Sequence, residues 1–321
     1  MEELKYRNED KYFPIPDSEK NLQTIIAEHF IDIPTEKEGF NILEGLCFDR
    51  DGNLFICNTP QSKIYKLDMK TKELKLFIDL PNHMMPSAVK IHKDGRLFCT
   101  MVGSDDGSLI AIISPDGKIL DKIVMNTGRM IDDMLFEENG GFYFTDLGGS
   151  IEDKSAGVFY VEPDFKTIHP VISGGMIGTN GISLDLDGKS LWITEYGAGK
   201  LHHFELEKDR YTIAPLTSYV PYYFTGLEGP DSTIIDEDGN LYVAMCGQAR
   251  FLIFNRNGFP IGQILLPERV NGGMAKSTHL AIRPNTNEAY MCAADLKTGK
   301  CSIYVAKVFA NAYKNYQFKE D

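Results

Sequence analysis

One segment of this chain occurs six times, and that repetition limits the fold more than any other feature. FDRDGNLFIC at 48, IHKDGRLFCT at 91, FEENGGFYFT at 136, LDLDGKSLWIT at 184, IDEDGNLYVA at 235 and a worn copy, IRPNTNEAYM, at 282 each read as strand, turn, strand. In five copies an Asp-Gly or Asn-Gly pair supplies the positive φ of a hairpin turn, between β-branched and aromatic residues. The apolar residues that open the copies (Phe48, Ile91, Phe136, Leu184, Ile235, Ile282) are 43 to 51 residues apart. Four short strands have about that length, and radial repetition of such units leaves only short, protected edges. The pattern predicts an all-β, six-bladed β-propeller with four-stranded blades. It is read as a single domain over 1–321, with an N-terminal tail at 1–20, a ring-closing region at 21–34 and the blades in 35–321. TIIAEHFIDI at 24 to 33 is expected to form one strand that completes the last blade.

Composition narrows the partners. Lys and Arg number 33 against 46 Asp and Glu, a net charge of −13, so the basic footprint of a nucleic-acid binder is missing and an anionic membrane would repel the chain. The polar start MEELKYRNED carries no apolar run for a signal peptide, and no stretch approaches the length of a membrane span, so a cytoplasmic protein is expected. Six cysteines without a C-x-x-C pair read as reduced core thiols. There is no G-x-S-x-G elbow, P-loop or dinucleotide glycine signature, which removes the support for serine nucleophiles and nucleotide cofactors.

In a propeller the innermost strand of each blade runs along a central channel, so one register in successive repeats converges on the axis. Four residues before each opening apolar residue stand Glu44, Ser87, Asp132, Asn180, Asp231 and Thr278. Three carboxylates on one axis repel by about 4 kcal/mol per pair at about 4 Å with an effective dielectric near 20. A shared cation offsets that. The available donors are oxygens, with one imidazole nearby at His279, which favours calcium over zinc, and over magnesium with its preference for water ligands. Ser232 adds a hydroxyl or backbone oxygen beside Asp231, and Asp133 is expected to orient the ligands by accepting hydrogen bonds.

These residues lie in stretches with a recognisable likeness. LEGLCFDRDG, AVKIHKDGRLF, IDDMLFEENGGFYFTD, VPYYFTGLEGPDS, NLYVAMCGQAR, GFPIGQILLP and KSTHLAI resemble the six-bladed propeller family of senescence marker protein, gluconolactonase and diisopropylfluorophosphatase, and its drug-responsive lactonase branch above all. The resemblance runs from LQTI at 22 to NYQF at 315. It implies a calcium-dependent hydrolase with Glu44, Asp132, Asn180 and Asp231 as metal ligands, and Ser232 as a further one. Where several relatives carry Asn, this chain has the acidic Asp132. The resemblance also implies a second, structural cation near GSDDGS, with Asp105 and Gly107 supplying part of its shell and Val124 standing where an acidic ligand belongs.

The function expected is hydrolysis of small-molecule lactones. The cation polarises the carbonyl, and Asp231 acts as the catalytic acid/base or attacks directly; both routes stay open. A phosphotriesterase-like hydrolase needs almost the same site, and a non-catalytic calcium- or ligand-binding propeller needs only part of it. Ser87, Arg129, Tyr223, Thr278 and His279 are the substrate-pocket candidates, along with Pro60, Gln61, Met84 and Met85 in loops that roof one face.

Overall fold

The computed structural model describes residues 12–35, 41–125 and 129–319. Residues 1–11 of the predicted tail lie outside the described residues. Among the described residues there are six sheets, five of four strands and one of five, and the only helical pieces are 3₁₀ turns. The inner strands are Leu43–Phe48, Met85–Ile91, Ile131–Phe136, Thr179–Leu184, Pro230–Ile235 and Lys276–Ile282 for blades one to six. Each packs against the inner strand of the next blade, and the sixth packs against the first, so the ring is closed. Apolar side chains fill the wedges between neighbouring blades; Leu54, Ile56 and Leu67 of blade one, for example, pack with Cys292 and Ile303 of blade six. No helix among the described residues is long and apolar enough to cross a membrane.

The repeat folds as its turn residues require. Gly52, Gly95, Gly140, Gly188 and Gly239 adopt φ of +81°, +91°, +91°, +68° and +81°, and in the worn copy Asn285 takes the same role at +60°. All six cysteines are buried free thiols.

The N-terminal segment differs from the expectation of one strand. It forms two, on different blades. Glu28–Ile33 is the antiparallel outer strand of blade six, as predicted, but Gln23–Ile26 adds a fifth strand, in parallel, to blade five. The buried Ala27 joins them. The outer strand of blade five tolerates this addition because Gly262 has no side chain: a Cβ there would sit 3.2 Å from the Gln23 carbonyl oxygen and 2.5 Å from the Phe309 ring. Farther back the segment is anchored by a fully buried ion pair between Glu19 and Arg250, with the Tyr222 hydroxyl donating to the same carboxylate.

All six inner strands break pairing around one register, blade one a single residue later than the others. The ladder between first and second strand shifts at Glu44–Cys47, Pro86–Val89, Ile131–Met134, Thr179–Ile182, Pro230–Thr233 and Ser277–Leu280. A bulge leaves peptide groups without their ladder partners, and buried peptide groups need others. In blades two to four a second-strand threonine supplies them. Thr100, Thr145 and Thr194 accept from the bulge N–H of Ala88, Asp133 and Gly181 at 2.8, 3.0 and 2.7 Å. The same hydroxyls donate to the carbonyls of Asp132, Asn180 and Asp231 in the following blade, the latter two at 2.6 and 2.8 Å. Blades one and six place Cys57 and Cys292 at the equivalent position, and the Cys292 thiol donates to the carbonyl of Leu43.

Removing one latch tests its contribution. Thr145→Val keeps the shape but leaves a buried N–H and a buried C=O without partners, and should cost about 1–3 kcal/mol in urea unfolding. Thr145→Ser, which keeps the hydroxyl, should recover most of the loss.

Candidate functional site

The bulges set the site because they turn the residue at that register toward the axis. Glu44, Ser87, Asp132, Asn180, Asp231 and Thr278 all come to the same end of the channel and all are buried. The carboxylates perturb one another. Burial pushes Glu44 well above the ordinary range, and Asp231, Asp132 and Asp133 add to the rise. Burial, then the charge of Asp132, does the same to Asp231. Asp132 rises to about 7, chiefly through burial, although the Ser87 hydroxyl, which donates to its carboxylate, opposes the rise. Asn180 hydrogen-bonds Asp231, and its own Oδ1 is buried with no partner. The Ser232 N–H donates to Asp231 Oδ1 at 3.0 Å.

Three mutually repelling buried carboxylates and an orphaned amide oxygen make an all-oxygen set suited to a hard cation. Among the described residues, however, no three His, Cys, Asp or Glu side chains are drawn close enough to form a ready-made metal centre. The donors converge without closing on a point.

The other candidates fall in different places. Arg129 Nη1 pairs with Asp146 Oδ2 at 2.5 Å and its guanidinium lies 4.3 Å over the Phe159 ring, so its charge is matched within the wall between blades two and three. Thr278 donates to the Leu43 carbonyl at 2.6 Å, stitching blade six to blade one. Tyr223 is exposed at the end of the outermost strand of blade four, Ile213–Tyr223. Met84 is fully buried, and Gln61 donates to Asn41 Oδ1 at 2.9 Å. His279 does not line the carboxylate end of the channel; it lines a cavity farther down, with Lys90 and Gln317. Asp133 likewise accepts from the Met134 N–H at 2.8 Å and faces Lys90 Nζ at 3.6 Å, so it reaches the ligand set through its charge and not through a hydrogen bond.

At the second implied cation site, Asp105 Oδ2 is 2.7 Å from His83 Nδ1, and Asp106 is held by Lys122 at 2.6 Å and by Asn82. Gly107 forms the turn at φ +91°, and Val124 is exposed on the outer strand of blade two.

The structure also brings in residues outside the register. Cys246 hydrogen-bonds Asp231 and lies 3.2 Å from Glu228 Oε2. Glu228 in turn pairs with Lys276 and accepts from the Tyr196 hydroxyl at 3.4 Å. These four come from loops and strand ends of blades four to six. The only sequence signal for Glu228, Cys246 and Lys276 was membership in VPYYFTGLEGPDS, NLYVAMCGQAR and KSTHLAI, and Tyr196 lies outside those stretches.

Comparison with known proteins agrees with this architecture. The sequence pattern of the SMP-30/Gluconolactonase/LRE-like region matches residues 21–136 and 125–275. A relative named Lactonase drp35, from Staphylococcus haemolyticus, is 47% identical over 309 residues, covering 94% of this chain and 93% of that protein. Among solved structures, a luciferin-regenerating enzyme superimposes with a TM-score of 0.73 at 16% identity, covering 92% of this chain and all (100%) of that one. Regucalcin from Agrobacterium tumefaciens, described as a calcium-binding protein, gives 0.71 at 16% identity and covers 91% of this chain and 99% of that one. At those identities the structures speak for the fold; the pattern match and the close relative place this chain in the SMP-30/gluconolactonase/LRE-like family.

Proposed function

We propose that this protein opens the ester ring of small lactones at the carboxylate end of the channel with the help of one bound calcium ion. The observation that carries the reading is the set of buried carboxylates Glu44, Asp132 and Asp231, each raised by burial, with the charges of Asp231 and Asp132 adding to Glu44 and that of Asp132 to Asp231, beside Asn180, whose Oδ1 has no partner. The name of the 47%-identical relative supports the lactone, and the description of the regucalcin neighbour supports calcium.

Glu44, Asp132, Asn180 and Asp231, with an oxygen of Ser232, are the residues that would hold the ion. When bound, it supplies Lewis acidity toward a carbonyl oxygen. Asp231 is the acid/base: it takes a proton from water as the water oxygen bonds to the carbonyl carbon, and returns it to the ring oxygen as the carbon–oxygen bond breaks. The product is one hydroxy acid. Hydrogen bonds from Asn180, Cys246 and the Ser232 N–H fix the orientation of the Asp231 carboxylate, and Ser87 does the same for Asp132. Direct attack by Asp231 on the carbonyl is the alternative route, distinguishable by ¹⁸O incorporation into the enzyme in a single turnover. A phosphotriester, assayed beside aliphatic and aromatic lactones, tests the neighbouring chemistry.

Exhaustive chelation should abolish lactone hydrolysis, and calcium should restore it; full activity in protein shown metal-free by elemental analysis would end this reading. The carboxylates should divide their work. Asp231→Asn should lose about 10²- to 10⁴-fold in turnover at saturating calcium, the usual worth of positioned proton transfer. Glu44→Gln should act through cation affinity and be partly rescued by excess calcium.

The same residues predict a pH-dependent stability. With its carboxyl raised to about 7, Asp132 stabilises the metal-free fold below its unfolded pKa and loses that contribution as pH climbs through about 7. His279, kept neutral by burial, works in the opposite sense, so the informative quantity is the difference between wild type and Asp132→Asn. In chelator, the wild type should lose melting temperature relative to Asp132→Asn as pH rises from the ordinary carboxyl value of about 4 to about 7, and little beyond. Calcium at about 100 times its dissociation constant should add about 2.7 kcal/mol to the wild type.

A further inference from the structure

We propose that the lower half of the channel is a second binding site, for a small neutral molecule that carries one carbonyl oxygen. Two adjoining cavities, of 100 and 40 Å³, lie beyond the carboxylate cluster, between the far ends of the inner strands and the C-terminal segment. Lys90, Thr233 and Gln317 border both. The floor is held in place by blades one and three. Arg50 Nε donates to the Gln317 carbonyl at 2.9 Å, Gln317 Nε2 donates to the Phe48 carbonyl at 2.8 Å, and the Tyr316 ring packs on Phe136 with centroids 5.3 Å apart.

Polar atoms in this chamber lack partners. Oε1 of Gln317, 3% exposed, makes no hydrogen bond, and the ring of His279, 2% exposed, has no side-chain partner and meets only the backbone of Leu280. Buried polar atoms without partners are rare and costly, and in a cavity they mark the place of a bound molecule. The Lys90 ammonium faces Asp133 at 3.6 Å, which balances its charge and engages at most one of its three donors. A second anion beside that pair would be buried without compensation, which selects an uncharged head. A carbonyl oxygen accepts from Lys90 and from an N–H of His279. Leu135, Ile182, Leu184 and Ile234 supply apolar wall for the rest of the molecule. A dry cavity of about 150 Å³ accommodates benzene, so the combined space suits a five- or six-membered ring. The lining reaches the surface at the exposed Glu138.

The test needs neither turnover nor a bound cation, so its outcome is independent of the proposed hydrolysis. Binding of 4,4-difluorocyclohexanone to the full chain in EDTA is followed by ¹⁹F NMR, with 1,1-difluorocyclohexane as the probe lacking the carbonyl. Saturable binding of the ketone is expected, on the order of tenfold tighter than the probe without the carbonyl, as for a hydrogen bond to a charged donor. Lys90→Met should erase the preference. Leu184→Phe, which fills the cavity and leaves the charges in place, should abolish binding of both probes, whereas Asp231→Asn should bind them as wild type does. No saturable binding, which would mean a chamber holding solvent alone, overturns the proposal. So does binding that survives Leu184→Phe and is lost in Asp231→Asn.

Discussion

A strand that lines a closed channel cannot remain in its ladder and also aim a side chain at the axis. This chain resolves the conflict with a bulge, and the bulge in turn demands partners for the peptide groups it frees. The second-strand hydroxyls of Thr100, Thr145 and Thr194 meet that demand on two sides, taking the N–H of their own blade and giving to the carbonyl of the next. Each latch therefore joins neighbouring blades at a residue of the carboxylate register. Asp132, Asn180 and Asp231 are positioned by their backbone carbonyls as firmly as by their side chains. The rigidity lets carboxylates be held together against their repulsion, since a looser frame would let them drift into solvent.

That arrangement explains why so much was legible. The turn glycines announce the blades, and a register counted from the turns is preserved because every inner strand bulges around the same place. Ser87 thus meets Asp132, Asn180 meets Asp231, and the charge of Asp132 reaches Asp231. The same bulge limits what sequence can say about the next residue. In a regular strand His279 and Asp133 would alternate away from their predecessors, but at a bulge alternation fails; His279 lines a cavity with Lys90, and Asp133 faces the Lys90 ammonium. Glu228, Cys246 and Lys276 lie outside any repeat register, so their approach to Asp231 depends on loop paths that no periodicity encodes.

The N-terminal segment shows a different limit. TIIAEHFIDI contains no glycine or proline to mark a break, and as a string it reads as one strand. Its division at Ala27 is imposed from outside, by a groove beside blade five that is open only because Gly262 lacks a side chain. Local propensity chose strand correctly; the partner was decided by tertiary space.

Because Gln23–Ile26 belongs to blade five and Glu28–Ile33 to blade six, a single short stretch of chain straddles the last two blades while Lys300–Lys307 pairs with it from the other terminus. The ring thus has no weak joint at which sequence beginning and end simply abut. A topological rearrangement makes the point concrete: a circular permutant opened at one of the Asp-Gly turns would keep every blade intact, whereas one opened at Ala27 would separate two strands that now act as a staple. The chain's beginning is better understood as a suture than as the missing quarter of a blade.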